Sequence, residues 1–136
     1  MPARVKARRR ALEVLYEAEL RDLSRLAALA ERREAADPPL SAYTATLVEG
    51  VETHAERLDE LLSEHARGWT LERMPPVDRN ILRLGAYELL YADDVPDPVA
   101  ISEAVRLARE MSSEETPAFV NGILARLLEL KPTLLT

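Results

Sequence analysis

The sequence predicts an all-α protein built as two packed three-helix bundles. Ala, Leu, Arg and Glu dominate the 136 residues, and only four residues are glycine, a composition that favours helices. Apolar residues recur at helical spacing, whereas no stretch alternates apolar and polar residues as a half-buried strand would. Short connections between the helical segments favour antiparallel neighbours and therefore bundles.

Three helices are predicted before the centre of the chain. Their approximate limits are Arg4–Asp22, Ser24–Ala35 and Ser41–Ala66. The run Asp37-Pro38-Pro39 separates the second helix from the third, because proline lacks the donor that a continuing helix needs. Ser41 is a good N-cap for the long third helix, and Gly68 is suited to end it.

Three more helices are predicted after the break at Pro75-Pro76 and a short turn at Thr70–Met74. Their approximate limits are Val77–Ala92, Asp97–Met111 and a last helix that begins near Thr116-Pro117 and ends before Pro132. Asp97-Pro98 and Thr116-Pro117 each look like an N-cap followed by a proline at the first helical position. The halves, residues 1–68 and 69–136, are short, so we expect them to share one core in a single domain, 1–136.

Composition and spacing exclude several classes of site. The chain has no cysteine, which excludes a disulfide scaffold, a thiolate zinc site and a cysteine nucleophile. The basic start leads into acidic residues rather than an export signal, and no apolar run approaches the ~20 residues of a membrane span, so we expect a cytoplasmic protein. His54 and His65 would lie about 16 Å apart along one helix, too far to share a metal ion. No catalytic, metal or cofactor site is predicted.

The start of the chain is basic although the whole protein is acidic. Five of the first ten residues are Arg or Lys, none is acidic, and the net charge of the chain is −6. On the first turns of a helix these charges oppose the helix dipole, which favours acids there. Bound phosphates would turn this unfavourable electrostatic interaction into a favourable one, and five cations suit a nucleic-acid backbone. The charge run by itself is equally typical of a solvated terminus, the interpretation we favour from the run alone.

Two aromatic residues stand out. Phe119 is the only phenylalanine and begins the last helix beside Asn121-Gly122, so it could stack on an unpaired base while Asn121 bonds to a base edge. The alternative, favoured from residue types alone, is that Phe119 belongs to the core and Gly122 permits close helix approach. We expect Trp69 to pack between the two halves.

Longer stretches of the sequence carry a resemblance. GWTLERMPPVDRNILRLGAYELLYADDVPDPVAISEAVRLARE followed by FVNGILARLL resembles the NusB family of bacterial transcription antitermination proteins. The start, ARRRALEVLYEAEL, looks like the basic first helix of that family. The resemblance covers nearly the whole chain. It implies two three-helix bundles and a non-enzymatic adaptor that binds the boxA element of nascent ribosomal RNA leaders. It also implies joint binding with NusE, a small-subunit ribosomal protein, and association with the elongating RNA polymerase.

The resemblance also implies two sets of site residues. The RNA-binding set is Arg4, Lys6, Arg8, Arg9, Glu115, Phe119 and Asn121. The partner-binding set is Tyr16, Glu72, Asp78 and Arg83, although Asp78 is also placed to cap the fourth main helix.

The chain departs from the family pattern in both RNA-binding segments. The family commonly has an acid at the position of Arg9 and a basic residue at that of Ala118. We therefore expect weak RNA binding by the isolated protein, with NusE completing the surface. We also expect Arg9 and Arg10 to offset the charge missing beside Phe119.

Two other classes of function are alternatives. RNA methyltransferases can carry a NusB-like front domain, but from the end of the sequence shortly after Leu130-Lys131-Pro132 we expect no catalytic domain. A self-associating NusB-like RNA-binding module that needs a partner for RNA binding, including a homodimer, fits the same helical pattern.

Overall fold

The computed structural model describes residues 3–134, and all regular structure in that range is helical, which confirms the all-α prediction. In chain order the helices are α1 Ala3–Leu20, α2 Arg25–Ala35, α3 Ala42–Thr53, α4 Ala55–His65, α5 Pro76–Tyr91, α6 Asp97–Met111 and α7 Thr116–Leu134. A single 3₁₀ turn, Leu71–Arg73, precedes α5.

The first bundle consists of α1, α2 and α3, each packed against the other two. Serine side chains begin two of these helices by accepting a hydrogen bond from a free backbone N–H. Ser24 accepts from Ala27 at 3.1 Å, and Ser41 accepts from Thr44 at 3.3 Å. The predicted cap at Ser41 and the predicted break after α2 are therefore present.

The prediction of one long third helix over Ser41–Ala66 is wrong, because the chain bends at His54. The backbone of His54 (φ −106°, ψ 16°) leaves the helical range, and α4 starts one residue later. The bend lays the His54 ring on Tyr91 of α5, with ring centroids 3.7 Å apart and planes within 7° of parallel. Tyr87 sits against Gly50, where a Cβ would lie 2.2 Å from its ring. Close packing between α3 and the end of α5 thus accompanies the break.

The second bundle consists of α5, α6 and α7, with α4 packed against α5 and α7. Helix α5 is central, since it also contacts α1 and α3 and buries most of its length. At Gly85 a Cβ would lie 2.7 Å from Leu124 and 2.9 Å from Ala104, so this crossing needs a glycine. Buried apolar side chains from both bundles form one continuous core. The boundary between residues 1–68 and 69–136 stays a prediction.

Four local predictions in the second half are wrong. Asp97 is the first residue of α6 rather than its cap, a position that Pro96 occupies. Thr116 is likewise the first residue of α7 rather than its cap. Helix α7 continues past Pro132 to Leu134, and Lys131 bonds to Asp97 at 2.7 Å, which ties this last turn to the start of α6. At Gly122 a Cβ would have no neighbouring atom within 4 Å, so Gly85 and not Gly122 provides the close helix approach.

Candidate nucleic-acid interface

The basic first turns of α1 are helical and largely ion-paired with the second bundle. Arg4 bonds to Asp94 at 2.6 Å, Arg8 bonds to Glu88 at 2.8 Å, and Arg9 pairs with Glu110. Lys6 is exposed and has no ion pair among residues 3–134. The charges at the front of the chain therefore belong to the folded surface of the protein and not to a solvated tail.

Arg8 differs from its neighbours because it is buried, with 5% of its surface exposed, as is Glu88 with 2%. The second carboxylate oxygen of Glu88 accepts from the hydroxyl of Tyr43. Burial lowers the pKa of Arg8, but the hydrogen bond to Glu88 and the charges of Glu88, Tyr43 and Glu103 together outweigh burial, and the pKa lies above its ordinary value. Burial also raises the pKa of Tyr43, and Glu88 adds to the effect. In this arrangement Arg8 ties α1 to α5, and a direct contact of Arg8 with RNA stays a prediction.

Arg4 and Arg9 are held more loosely. The guanidinium of Arg4 lies 4.0 Å from the centre of the Tyr43 ring, and the Arg4–Asp94 side chains are 43% and 65% exposed. The hydrogen bond from Arg4 holds the pKa of Asp94 below its usual value. Exposed pairs of this kind contribute little to stability, so a phosphate could replace either carboxylate at little cost.

The second predicted segment is positioned by Asp78, which does not cap α5 but lies in its first turn. The buried Asp78 carboxylate accepts from the hydroxyl of Ser112 and, at 3.2 Å, from that of Thr116. These bonds fix the connection between α6 and α7 on α5. They thereby set the place of Glu115, just before α7, and of Phe119 and Asn121 in its first two turns.

The expectation that Trp69 packs between the halves is wrong, because 52% of its surface is exposed. Its ring meets Phe119 edge to face, with centroids 6.4 Å apart and an interplanar angle of 66°. Phe119 is half-buried: it packs on the core and also lines, with Trp69, an open cavity of about 330 Å³. The ring is thus anchored in the core and also reaches the surface, and stacking of Phe119 on a base stays a prediction.

A second, shallower cleft of about 710 Å³ adjoins this cavity and contains Asn121, Ala118 and Arg109. Arg109 is exposed and has no ion pair among residues 3–134. The sequence reasoning missed it, because its place in the last turn of α6 indicated only a favourable dipole contact. Packing of α6 on α7 brings this cation to the face of Ala118, where the family pattern places a basic residue.

The last turn of α6 joins the two predicted RNA-binding segments. Glu110 pairs with Arg9 of α1, and its neighbour Arg109 lines the cleft that contains Asn121. The structure therefore brings the basic start of α1 and the start of α7 to one region of the surface, although more than 100 residues separate them in the sequence.

Two of the four predicted partner-binding residues share a different cleft, of about 670 Å³. It contains Glu72 and Arg83 together with Glu19, Asp59 and Arg79. Arg83 is buried and bonds to Asp59 at 2.8 Å and to Glu19 at 3.1 Å.

Glu19 is the carboxylate at the centre of this cleft. Burial raises the pKa of Glu19, but hydrogen bonds from Arg79 and Asn80 outweigh burial, and the pKa lies below its usual value. Tyr16 is half-buried one turn before Glu19 on α1. Asp78 lies apart, beside Trp69. Roles for all four predicted residues in partner binding stay predictions.

Residues 3–134 contain neither a candidate metal site nor a candidate membrane span. No group of three or more His, Asp or Glu side chains is placed there to hold a metal ion. None of the helices in that range combines the length and apolar character needed to cross a bilayer.

Known proteins resemble this chain over nearly its whole length. A family model described as the NusB family matches residues 5–129. A transcription antitermination protein NusB from Paenarthrobacter aurescens (strain TC1) is 59% identical over 135 residues, which cover 99% of each chain.

Solved structures are similar as well. A NusB structure from T. maritima has a TM-score of 0.83 and 31% identity, covering 95% of this chain and 92% of the other. A crystal structure of the antitermination factors NusB and NusE in complex with dsRNA has a TM-score of 0.82 and 29% identity, covering 95% and 98%.

Proposed function

This chain belongs to the NusB family, and from that premise we propose that it is a non-enzymatic adaptor of transcription antitermination. It binds the boxA element of nascent ribosomal RNA leaders together with NusE. In this proposal the complex joins the elongating RNA polymerase in the cytoplasm.

The observation that supports the proposal is the meeting of the two predicted RNA-binding segments at the last turn of α6. Arg9 of α1 pairs with Glu110, and its neighbour Arg109 lines the cleft that contains Asn121 of α7, next to the cavity of Phe119. Cations positioned for phosphates and an aromatic ring at the surface are the two parts that single-stranded RNA binding needs. The resemblance to a NusB–NusE structure that contains dsRNA supports the same conclusion.

For NusE we propose the cleft that contains Glu72 and Arg83. The protein is acidic overall, with a net charge of −6, and ribosomal proteins are generally basic, so long-range attraction favours their association. Tyr16, one turn before Glu19, extends the same surface along α1.

Fluorescence anisotropy of a labelled single-stranded boxA RNA, with and without NusE, tests the proposal. Binding should weaken steeply with salt, with a log–log slope of about −0.7 for each phosphate contacted. The double variant Lys6→Glu/Arg9→Glu should lose roughly tenfold or more in affinity and show a shallower slope. Unchanged binding by this variant would refute the role of α1.

Arg57→Glu is the matched control, because it reverses a cation on the surface of α4 that pairs only with its neighbour Glu60 among residues 3–134. It should leave RNA binding within about twofold, given that surface substitutions away from a site have small effects. Light scattering at the concentrations of the titration separates the adaptor from the self-associating module, since a dimer doubles the mass.

A further inference from the structure

Trp69 is the most exposed aromatic ring next to the proposed RNA surface, and nothing in the family resemblance gave it a role. It is the only tryptophan of the chain, and it stands half in solvent against the edge of Phe119. Contiguous apolar surface marks binding sites, whereas single exposed apolar residues do not, and Trp69 and Phe119 line one cavity together.

The local backbone holds Trp69 in this position. Gly68 adopts a φ of +77°, a conformation that favours glycine, and it turns the chain sharply after α4. The N–H of Trp69 then bonds to the carbonyl of Ala66 at 3.0 Å. The indole is thus presented on an ordered turn, and its position costs little further entropy when a ligand binds.

The rim of the cavity between the two rings is acidic and hydroxylic. It contains Asp78, Glu115, Ser113 and Thr116. The oxygens of Asp78 already accept from two hydroxyls, whereas the exposed Glu115 carboxylate makes no hydrogen bond or ion pair among residues 3–134. Glu115 is therefore the free acceptor of this cavity.

Charge decides which part of an RNA fits here. Two carboxylates and no cation line this cavity, so a phosphate is repelled, and the sugar–phosphate backbone is directed to the adjoining cleft, where Arg109 accompanies a single carboxylate, Glu114. A nucleobase has no net charge, stacks on aromatic rings, and offers N–H donors on its edge. The one edge donor of uracil, N3–H, lies between two carbonyl oxygens that repel a carboxylate, whereas an exocyclic amino group is open to one. An acidic acceptor beside two aromatic rings is complementary to a base with such a group.

From these contacts we infer that Trp69 and Phe119 form the walls of a pocket for one unpaired base of the bound RNA, and that Glu115 selects a base with an exocyclic amino group. The inference rests on the proposed RNA-binding function and adds a site to it. Adenine, cytosine or guanine should bind there in preference to uracil, which lacks the amino group. An apolar side chain of a protein partner is the competing occupant.

The single tryptophan makes the test direct, because all tryptophan fluorescence of this chain comes from the pocket itself. In titrations with labelled boxA RNA, Trp69 fluorescence should be quenched with the same midpoint as the rise in anisotropy. Trp69→Ala should weaken RNA binding by about 5- to 150-fold, the range for loss of one stacked base. Leu26→Ala is the control and should leave RNA binding unchanged. Leu26 is another exposed apolar side chain (48% exposed), and it lies on α2 in the first bundle.

Base selection is measured with boxA RNAs in which each amino-bearing base is replaced in turn by uracil. One of these replacements should markedly weaken RNA binding by the wild type. The same replacement should have little effect on the RNA affinity of Glu115→Gln, because the side-chain amide of this variant can also donate a hydrogen bond to uracil. Equal effects of every replacement on both proteins would overturn the role of Glu115.

The outcomes separate this site from the proposed function. RNA binding seen by anisotropy, with unchanged Trp69 fluorescence and a Trp69→Ala affinity within twofold of wild type, overturns the pocket and leaves the function standing. No binding of RNA even with NusE overturns both. Quenching by NusE alone, with none added by RNA, assigns the cavity to a protein partner and also overturns the inference. If Trp69→Ala does not fold, the quenching of the wild type and the affinity of Trp69→Phe, expected near wild type, decide the case.

Discussion

Removing the charge of Arg8 should destabilise the protein, and the structure gives the size of the effect. The Arg8 and Glu88 side chains are 6% and 3% exposed, and removing one partner of a buried ion pair costs about 3–5 kcal/mol. In Arg8→Met the Glu88 carboxylate keeps the hydroxyl of Tyr43 as a donor. We therefore expect the lower end, about 3 kcal/mol, a large part of the about 5–15 kcal/mol that stabilises a typical domain.

Urea denaturation followed by circular dichroism measures this loss as a change in the free energy of unfolding. Lys6→Met is the matched control, because Lys6 is an exposed cation on the same helix, and it should change stability by no more than about 0.5 kcal/mol. The double variant Arg8→Met/Glu88→Gln should be less destabilised than the sum of its single variants. A loss below about 1 kcal/mol for Arg8→Met, or strict additivity in the double variant, would refute the structural role.

The result also decides how RNA-binding data should be interpreted. A charge reversal at Arg8 places a second carboxylate beside Glu88 in the core, so RNA binding would be lost together with the fold. Arg4, Lys6 and Arg9 lie on the surface and can be reversed without that cost. Variants at these three positions therefore test phosphate contact, and variants at Arg8 test the junction of α1 with α5.

The remaining predictions concern the cleft, helix packing and pH. Arg109→Gln should weaken RNA binding and reduce the log–log salt slope by about 0.7, as measured by anisotropy at several salt concentrations. Gly122→Ala should raise the free energy of unfolding by about 0.5–1 kcal/mol, because a helical glycine with open space gains from a methyl group. Gly85→Ala should lower it by about 1–3 kcal/mol through the contact with Leu124. The pKa of Glu19 is lowered on folding, so its contribution is complete above the unfolded value of about 4.3 and is lost as pH falls below it. Denaturation midpoints of Glu19→Gln should then fall less steeply with acid than those of the wild type.

The helices themselves could be predicted from the sequence because their signals are local. Apolar spacing, a serine cap and a proline break each act within a few residues, and α2, α5 and α6 begin and end close to the expected positions. The bend at His54 has no such signal, since apolar residues continue at helical spacing from Val51 to Leu58. Its stabilising contacts come from Tyr91 in another helix, and sequence periodicity contains no information on that contact.

The same distinction between local signals and long-range contacts applies to the residues of the candidate site. Residue types and the family resemblance indicated which side chains matter, but not which of them are exposed. Nothing in the run of basic residues distinguishes Arg8 from Arg9, because their difference depends on carboxylates about 80 and 100 residues away. Arg109 and Trp69 were missed for the same reason. Each enters the site through the packing of separate elements, which no local pattern encodes.

The ion pairs of α1 resolve the conflict between its charge and its helix dipole, and they bear on the proposed binding of RNA. Cations at the start of a helix are unfavourable, but Asp94, Glu88 and Glu110 neutralise them in the folded protein. If RNA binds as proposed, its phosphates compete with Asp94 and Glu110 for Arg4 and Arg9. Each exchange replaces one weak surface pair by another, so the net gain comes from counterions released by the RNA and falls as salt is added. High affinity then requires contributions that salt does not screen, and base stacking on α7 and the joint surface with NusE are the ones this chain offers.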